Sequence, residues 1–374
     1  MNYSESDNNQ IKIIAFHLPQ YHTFPENDEW WGKGFTEWVN VRKAKPLFKG
    51  HNQPRVPLNN DYYNMLDIST LERQAEQSKK YGIYGFCYYH YWFNGKKLLE
   101  KPVELLLEHN EINQRYCLCW ANEPWTRSWD GDTGVVLMPQ EYGGKDEWEE
   151  HFEYLLPFFR DERYIRVDNK PLFVIYRTNS IECCNEMLAY FHKRAIEEGL
   201  NGLFILEEKN SFQPERESVL TQGAIEFEPL YTLKYGRNIW QKVTQRIWSD
   251  CLNKIDKTTM RYYDYKKTWK NLAKRAYKTD SDIYQCAFVD WDNTARRGEN
   301  GIVFRKSSPE VFEQGFKSLV AAAKKKDKKL VFVNAWNEWA EGCYLEPDEK
   351  NEFRYLEALQ NALDKEGARC SQDI

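Results

Sequence analysis

The sequence predicts an α/β fold, a single (β/α)8 TIM barrel with long βα-loop insertions. Three observations carry this. Eight short apolar runs recur along 374 residues. Segments of helical periodicity separate most of them. No G-x-G-x-x-G follows any run, which counts against an open, doubly wound sheet. Alternation of strands and helices implies a parallel sheet, and eight strands suit a closed ring.

The runs are IKIIAFHL (11–18), YGIYGFCYY (81–89), YCLCW (116–120), PLFVIY (171–176), GLFILE (202–207), GAIEFE (223–228), CAFVDW (286–291) and LVFVNAW (330–336). Continuous β-branched and aromatic runs of this length suit strands covered on both faces. Helices are expected over 69–81, 98–110, 145–160, 182–198, 309–326 and 350–365. The first carries a capping-box pattern, Ser69 with Glu72 three residues on. A polar tail over 1–10 is expected to be disordered, and one catalytic domain to span 11–368. Two connections are long. The one after the first strand holds Trp30, Trp31, Phe35 and Trp38, enough aromatic surface to order it. The segment 231–284 carries 13 Lys and Arg against five Asp and Glu in a chain of net charge -5. It reads as a basic helical insertion, in its plainest form a solvated charged helix pair.

Composition narrows the function. The net charge offers no field for nucleic acid. No apolar run reaches the length of a transmembrane helix, and MNYSESDNNQ lacks the features of a secretory signal. Nine cysteines form no C-x-x-C pair, so reduced thiols and a cytoplasmic location, peripheral at the inner membrane, are the expectation. No cofactor or metal is expected. Aromatic residues reach 16%, with 14 Trp and 24 Tyr, a surplus that suits an aromatic-lined cleft.

In a barrel, the active site lies at the C-terminal ends of the strands. The first strand and its loop deliver His17, Gln20, Tyr21, His22, Trp31, Glu37 and Trp38. The second delivers Tyr89 and His90; the third Trp120, Asn122, Glu123 and Trp125; the fourth Arg177; the sixth Glu228. The seventh delivers Asp290, Trp291, Asp292 and Asn293, and the eighth Trp336, Asn337, Glu338, Trp339 and Glu341. Carboxylates, amides and rings are what a sugar requires, hydrogen bonds for its hydroxyls and rings for its C–H faces. The D-W-D at 290–292 also matches a divalent-cation pattern, but three residues are weak evidence.

Glu338 and Glu341 are the candidate catalytic pair. On a helical turn, side chains three residues apart lie about 5–6 Å apart at Cβ. Carboxyls separated by about 5–5.5 Å have the retaining-glycosidase geometry. The spacing alone equally fits acids in the first turn of a helix; the place after the eighth strand, between Trp336 and Trp339, favours catalysis.

Long stretches of the chain resemble a known family. AFHLPQYHTFPENDEWWGKGFTEWVNVRKAKPLFKGHNQP (15–54), GFCYYHYWFNGKKLLEKP (85–102), WANEPWTRSWDG (120–131), DWDNTARRG (290–298) and NAWNEWAEGCYLEPD (334–348) look like the WbsX-type glycosyltransferases of bacterial surface-polysaccharide clusters. That family carries a domain similar to glycoside hydrolase family 99, the endo-α-mannosidases. The more distant link rests on the barrel and on N-E-W-x-E-G. The resemblance implies retaining cleavage of an α-mannoside-type linkage through a 1,2-anhydro sugar. Glu338 would be the base toward the sugar 2-OH and Glu341 the general acid/base. Asn337 and the tryptophans would orient the sugar. The partner implied is an oligosaccharide or polysaccharide, and a lipid-linked glycan would suit the basic insertion. Two other readings stay open, a glycosyltransferase or transglycosylase of O-antigen or capsule assembly, and a non-catalytic carbohydrate-binding barrel.

Overall fold

The computed structural model describes residues 10–127 and 135–369. The tail expected over 1–10 lies outside them except for Gln10, as does part of the 120–131 motif. Eight strands form the barrel. They are β1 (Lys12–His17), β2 (Gly85–Phe93), β3 (Tyr116–Trp120), β4 (Lys170–Ile175), β5 (Phe204–Lys209), β6 (Gly223–Glu226), β7 (Ile283–Phe288) and β8 (Leu330–Asn334). Each pairs in parallel with its neighbours in sequence. The ring closes because β1 pairs with both β2 (Ile14 opposite Gly85) and β8 (Lys12 opposite Leu330). All eight predicted runs are therefore barrel strands.

Strand alternation sorts the side chains into two layers. Phe16 of β1 packs inside the ring on Tyr89, Phe227 and Phe332, with centroids 5.7, 5.1 and 5.7 Å away. Their neighbours in sequence point out to the helices. His90 reaches His151 and Tyr154 on helix Lys145–Arg160, and His17 reaches Gln74 on helix Ile68–Lys80.

The helices follow the expected places with shifted ends. Ile68–Lys80 begins at an Asp67 cap with no side-chain hydrogen bond, so the expected Ser69/Glu72 capping box does not form. No helix follows β5. The buried Glu207 takes the space that a helix would fill. It accepts hydrogen bonds from Gln213 (2.7 Å), Thr221 (2.7 Å), the Glu217 and Ser218 amides, and Thr178. A polar anchor replaces the apolar face there, and it must be fully bonded because burying an unpaired acid is costly.

The segment 231–284 divides. Helix Tyr265–Ala276 buries Tyr265, Trp269 and Leu272 and covers the barrel beside β7; Trp269 stacks on Phe288 at 5.0 Å. It is a barrel helix. The part before it, helix Ile239–Asp256 and a short strand Arg261–Asp264 paired with Ile302–Arg305, projects outward. The eight described cysteines are all free.

Helix Pro309–Lys325 packs against Tyr265–Ala276 at Gly315. A Cβ there would lie 2.2 Å from Trp269 Cε3. Gly315→Ala should cost about 1–3 kcal/mol through overpacking. Thermal unfolding would show this as a lower Tm, and a Tm equal to the parent would contradict the packing described.

Candidate active site

A cleft of about 680 Å³ opens at the C-terminal ends of the strands. Its walls are aromatic: Trp31, Tyr89, Tyr91, Trp125, Tyr176, Phe227, Tyr263 and Trp291. Glu338 and Glu341 stand in it with Arg296, Arg297, Asn293 and Asn334. Trp125 meets Tyr91 edge-to-face at 5.3 Å and Trp30 at 5.5 Å, so its ring is braced while half exposed.

The two glutamates are not on an α-helix. After β8 the chain forms a tight hairpin in which Asn337–Glu338 pairs antiparallel with Cys343–Tyr344. Between them Trp339–Glu341 makes one 3₁₀ turn. Gly342 closes the turn at φ 62°, where a Cβ would meet Asp292 and Arg55 at 3.0 Å. A side chain there would be strained and crowded. The hairpin is clamped to the end of β1. Asn337 Oδ1 accepts from the Leu18 amide (2.7 Å), and its Nδ2 donates to the Leu18 carbonyl (2.9 Å). The Tyr21 hydroxyl donates to the Asn337 carbonyl. Trp339 stacks on Tyr344 at 3.8 Å and donates to Glu346 at 2.7 Å.

One guanidinium joins both carboxylates. Arg296 donates from Nη1 to Glu341 (2.8 Å), from Nη2 to Glu338 (3.3 Å) and from Nε to the fully buried Glu37 (2.9 Å). Three acids around one cation cannot all ionise cheaply. Burial pushes Glu338 up to about 8; the Glu341 charge adds to this and Arg296 opposes it. Burial also raises Glu341, against Arg296. The Glu341 side chain is 23% exposed and that of Glu338 9%. Glu338 is thus the less solvated member, and burial favours its protonated form.

Of the candidates read from the sequence, Gln20, Trp31, Tyr89, Glu123, Trp125, Trp291, Asn293, Glu338 and Glu341 line the cleft. The others do not, and alternation explains most of them. His17 bonds Gln74, and His90 bonds His151 at 2.9 Å. Burial lowers both imidazoles to about 3, so both are neutral. Trp120 donates to the Trp92 carbonyl, and Trp336 is sealed against Phe86. Asn122 exchanges two 2.8 Å bonds with the Arg177 backbone, while the Arg177 side chain holds Glu123 at 2.8 Å. Glu228 is held by Thr232 and Arg275. His22 bonds the Pro19 carbonyl and Trp38 the Tyr63 carbonyl. Tyr21, Asn337 and Trp339 build the clamp just described, and Glu37 acts on the site through Arg296.

The D-W-D carboxylates are also engaged within the protein, with Asp290 Oδ1 left buried and without a hydrogen-bond partner. Asp290 takes Arg55 at 2.9 Å; Asp292 takes His51 at 2.8 Å and Gln53 at 3.0 Å. Against the cost of burial, the His51 hydrogen bond and the Arg55 charge hold Asp292 down to about 2. The pair fastens the loop after β1 to the end of β7. Among the described residues no group of three or more His, Cys, Asp or Glu has metal-holding geometry. Arg296 was missed, though it stands in the quoted DWDNTARRG; the acidic N-E-W-x-E-G opposite is the signal that calls for a cation.

The fold is a closed (β/α)8 barrel, the architecture of the solved structures that it resembles. The endo-α-mannosidase of glycoside hydrolase family 99 from Bacteroides thetaiotaomicron superimposes with a TM-score of 0.57 at 13% identity, covering 96% of this chain and 98% of that one. A protein described as glycoside hydrolase-like gives 0.58 at 14%, covering 97% and 96%. The model of the family described as "Glycosyltransferase WbsX" matches residues 13–359, and the chain belongs to that family. Two proteins named WxcX, both described as uncharacterized, from two strains of Xanthomonas campestris pv. campestris, are 32% identical over 94% of this chain. The chain spans about half the length of these curated relatives, 49% of each.

Two measurements check the electrostatics. Burial holds the folded Glu338 carboxyl up at about 8, above the usual 4.5. Its contribution to stability is therefore complete below pH 4.5 and is lost as pH rises toward 8. Glu338→Gln should raise Tm relative to the parent at pH 8, with the gain shrinking to nothing below pH 5 (about the unfolded carboxyl value). A gain that grows on acidification would contradict the burial order. Arg296→Gln leaves the buried Glu37 and Glu338, and the partly exposed Glu341, without their cation and should cost about 3–5 kcal/mol. It should also move the acidic limb of the pH–rate profile to higher pH; an unmoved limb would show that the guanidinium does not tune the pair.

Proposed function

We propose that this enzyme cleaves an α-mannoside-type linkage in a bacterial glycan with retention of configuration, using Glu338 and Glu341. The observation that carries the reading is the pair itself, one buried and one partly exposed acid on one guanidinium in a cleft walled by rings. In the mechanism that the family resemblance implies, the base takes the 2-OH proton as that oxygen attacks C1. The bond from C1 to the leaving oxygen breaks, and the acid's proton passes to that oxygen. An acceptor then gives its proton to the same carboxylate and attacks C1. The anhydro ring opens, and the 2-oxygen recovers its proton. The charge is buried throughout, where oriented groups act strongly.

The resemblance makes Glu338 the base and Glu341 the acid. Under that assignment the resting proton crosses from Glu338 to Glu341 as substrate binds. The burial order favours the reverse assignment, which needs no crossing. Aryl glycosides separate the two. Replacing the general acid costs about 10²–10⁴-fold on an unactivated substrate, and a good leaving group restores most of that loss. Glu341→Gln rescued by an activated leaving group, with Glu338→Gln not rescued, supports the first assignment. The opposite pattern supports the second. Full activity in both variants would remove the pair from catalysis. A 2-deoxy substrate that turns over normally would remove the anhydro intermediate.

A second reading, transfer to a glycan acceptor during O-antigen or capsule assembly, is favoured by the family name and by Lys234 and Arg261 at the cleft wall. A lipid-linked acceptor would present an anion there. Product analysis with and without acceptor glycan decides it. New glycosidic products at the expense of free sugar support transfer, and free sugar alone supports hydrolysis.

A further inference from the structure

The projecting helix Ile239–Asp256 carries an apolar face that nothing in the fold covers. At i, i+3 and i+4 spacing, Ile239, Trp240, Val243, Ile247, Cys251 and Ile255 fall on one side. Their side chains are open to solvent: Ile239 68%, Trp240 75%, Val243 42%, Ile247 58% and Ile255 74% exposed, with Cys251 exposed as well. The helix is not loose. On its opposite side Trp248 and Leu252 pack on Met260, Tyr262 and Val303. Gln245 donates to the Tyr262 carbonyl at 2.5 Å and Asn253 to the Met260 carbonyl at 2.9 Å. A capping box at Asn238 and Gln241 fixes its start. The orientation that exposes the apolar side is therefore built in. Folded proteins rarely leave so long an apolar stripe uncovered without a partner for it.

The surrounding charge says what kind of partner. Lys242 and Arg246 flank the stripe, Lys254 lies within it and Lys257 follows it, all exposed. Asp250 is the acid on that side, because Asp256 turns inward to Arg305 at 2.9 Å. A helix of 18 residues with Trp and Ile on one face and Lys and Arg beside it has the design of a helix lying in a bilayer interface. Its cations would meet anionic headgroups. No described helix is long and apolar enough to cross a membrane, so the contact is with the surface. The stripe begins close to the cleft. Lys234, Arg261 and Tyr263, from the same excursion of the chain, line the cleft wall with the exposed Phe212, and Lys234 is tied to the Ser211 carbonyl at 2.6 Å.

We propose that helix Ile239–Asp256 seats the protein on the surface of an anionic lipid bilayer, beside the open cleft. Flotation with vesicles tests it on the whole chain, using phosphatidylcholine alone and phosphatidylcholine mixed with phosphatidylglycerol. The chain should float with the mixed vesicles, far less with the neutral ones, and less as salt rises. Trp240→Glu with Ile247→Glu, and separately Lys242→Glu with Arg246→Glu, should each lower the bound fraction about tenfold or more. Ile196→Glu, at an isoleucine 55% exposed on another helix, should float like the parent. Circular dichroism confirms that the variants fold. No flotation with either composition overturns the proposal. So does flotation that both double variants leave unchanged, or a dimer in light scattering that Ile247→Glu dissolves. None of these readouts requires turnover, so the proposal stands or falls apart from the catalytic reading.

Discussion

Arg296 gathers charge from three places far apart in the chain. Glu37 comes from the loop after β1, and Glu338 and Glu341 come from the hairpin after β8. The guanidinium itself comes from the loop after β7. Without it, the buried Glu37 and Glu338 and the partly exposed Glu341 would repel each other and lose hydration with nothing in return. Burial raises the Glu338 and Glu341 carboxyls against the pull of Arg296, and two acids pushed up in this way favour one carboxylic acid beside one carboxylate. Electrostatics and loop docking are the same interaction here.

The surrounding structure holds that cluster in place. Asn337 and Tyr21 lock the hairpin to β1. Asp292 binds the Glu341 carbonyl through its own amide at 2.7 Å, and its carboxylate takes His51 from the long first loop. Arg55 reaches Asp290 from the same loop. The aromatic-rich loop is thus ordered by burial of its rings and by ion pairs to β7, and in return it delivers Glu37. Residues that sequence patterns offer as sugar or metal contacts serve mainly as this support. Most polar atoms at such burial are bonded within the protein, though Glu37 Oε2, Asp290 Oδ1 and Trp336 Nε1 are buried without a hydrogen-bond partner.

The barrel was legible because eight buried parallel strands write themselves as eight apolar runs, and burial on both faces needs no long-range information. The candidate pair was legible because Glu338 and Glu341 are near in sequence and follow the last strand. The layer a side chain joins was harder to read. Tyr89 and His90 are neighbours, yet one faces the cleft and the other faces helix Lys145–Arg160. In a strand covered on both faces, hydrophobic patterning does not say which side is which. Arg296 was hidden for another reason. Its acids lie 259, 42 and 45 positions away in sequence, so its burial and role follow from closure of the ring. The segment 231–284 looked uniform by charge, but its second half carries Trp269 and Leu272 into the barrel wall while Trp240 and Ile247 of the first half face solvent.

The central proposal is that Glu338 and Glu341 carry glycosidic chemistry through two displacements at C1. The most direct measurement is the anomeric configuration of the first-formed product, read by proton NMR before mutarotation on an α-mannoside-type glycan. Two displacements at C1 predict that the α configuration appears first. A β-configured first product would mean a single displacement with water between more widely spaced carboxyls, and it would contradict the account.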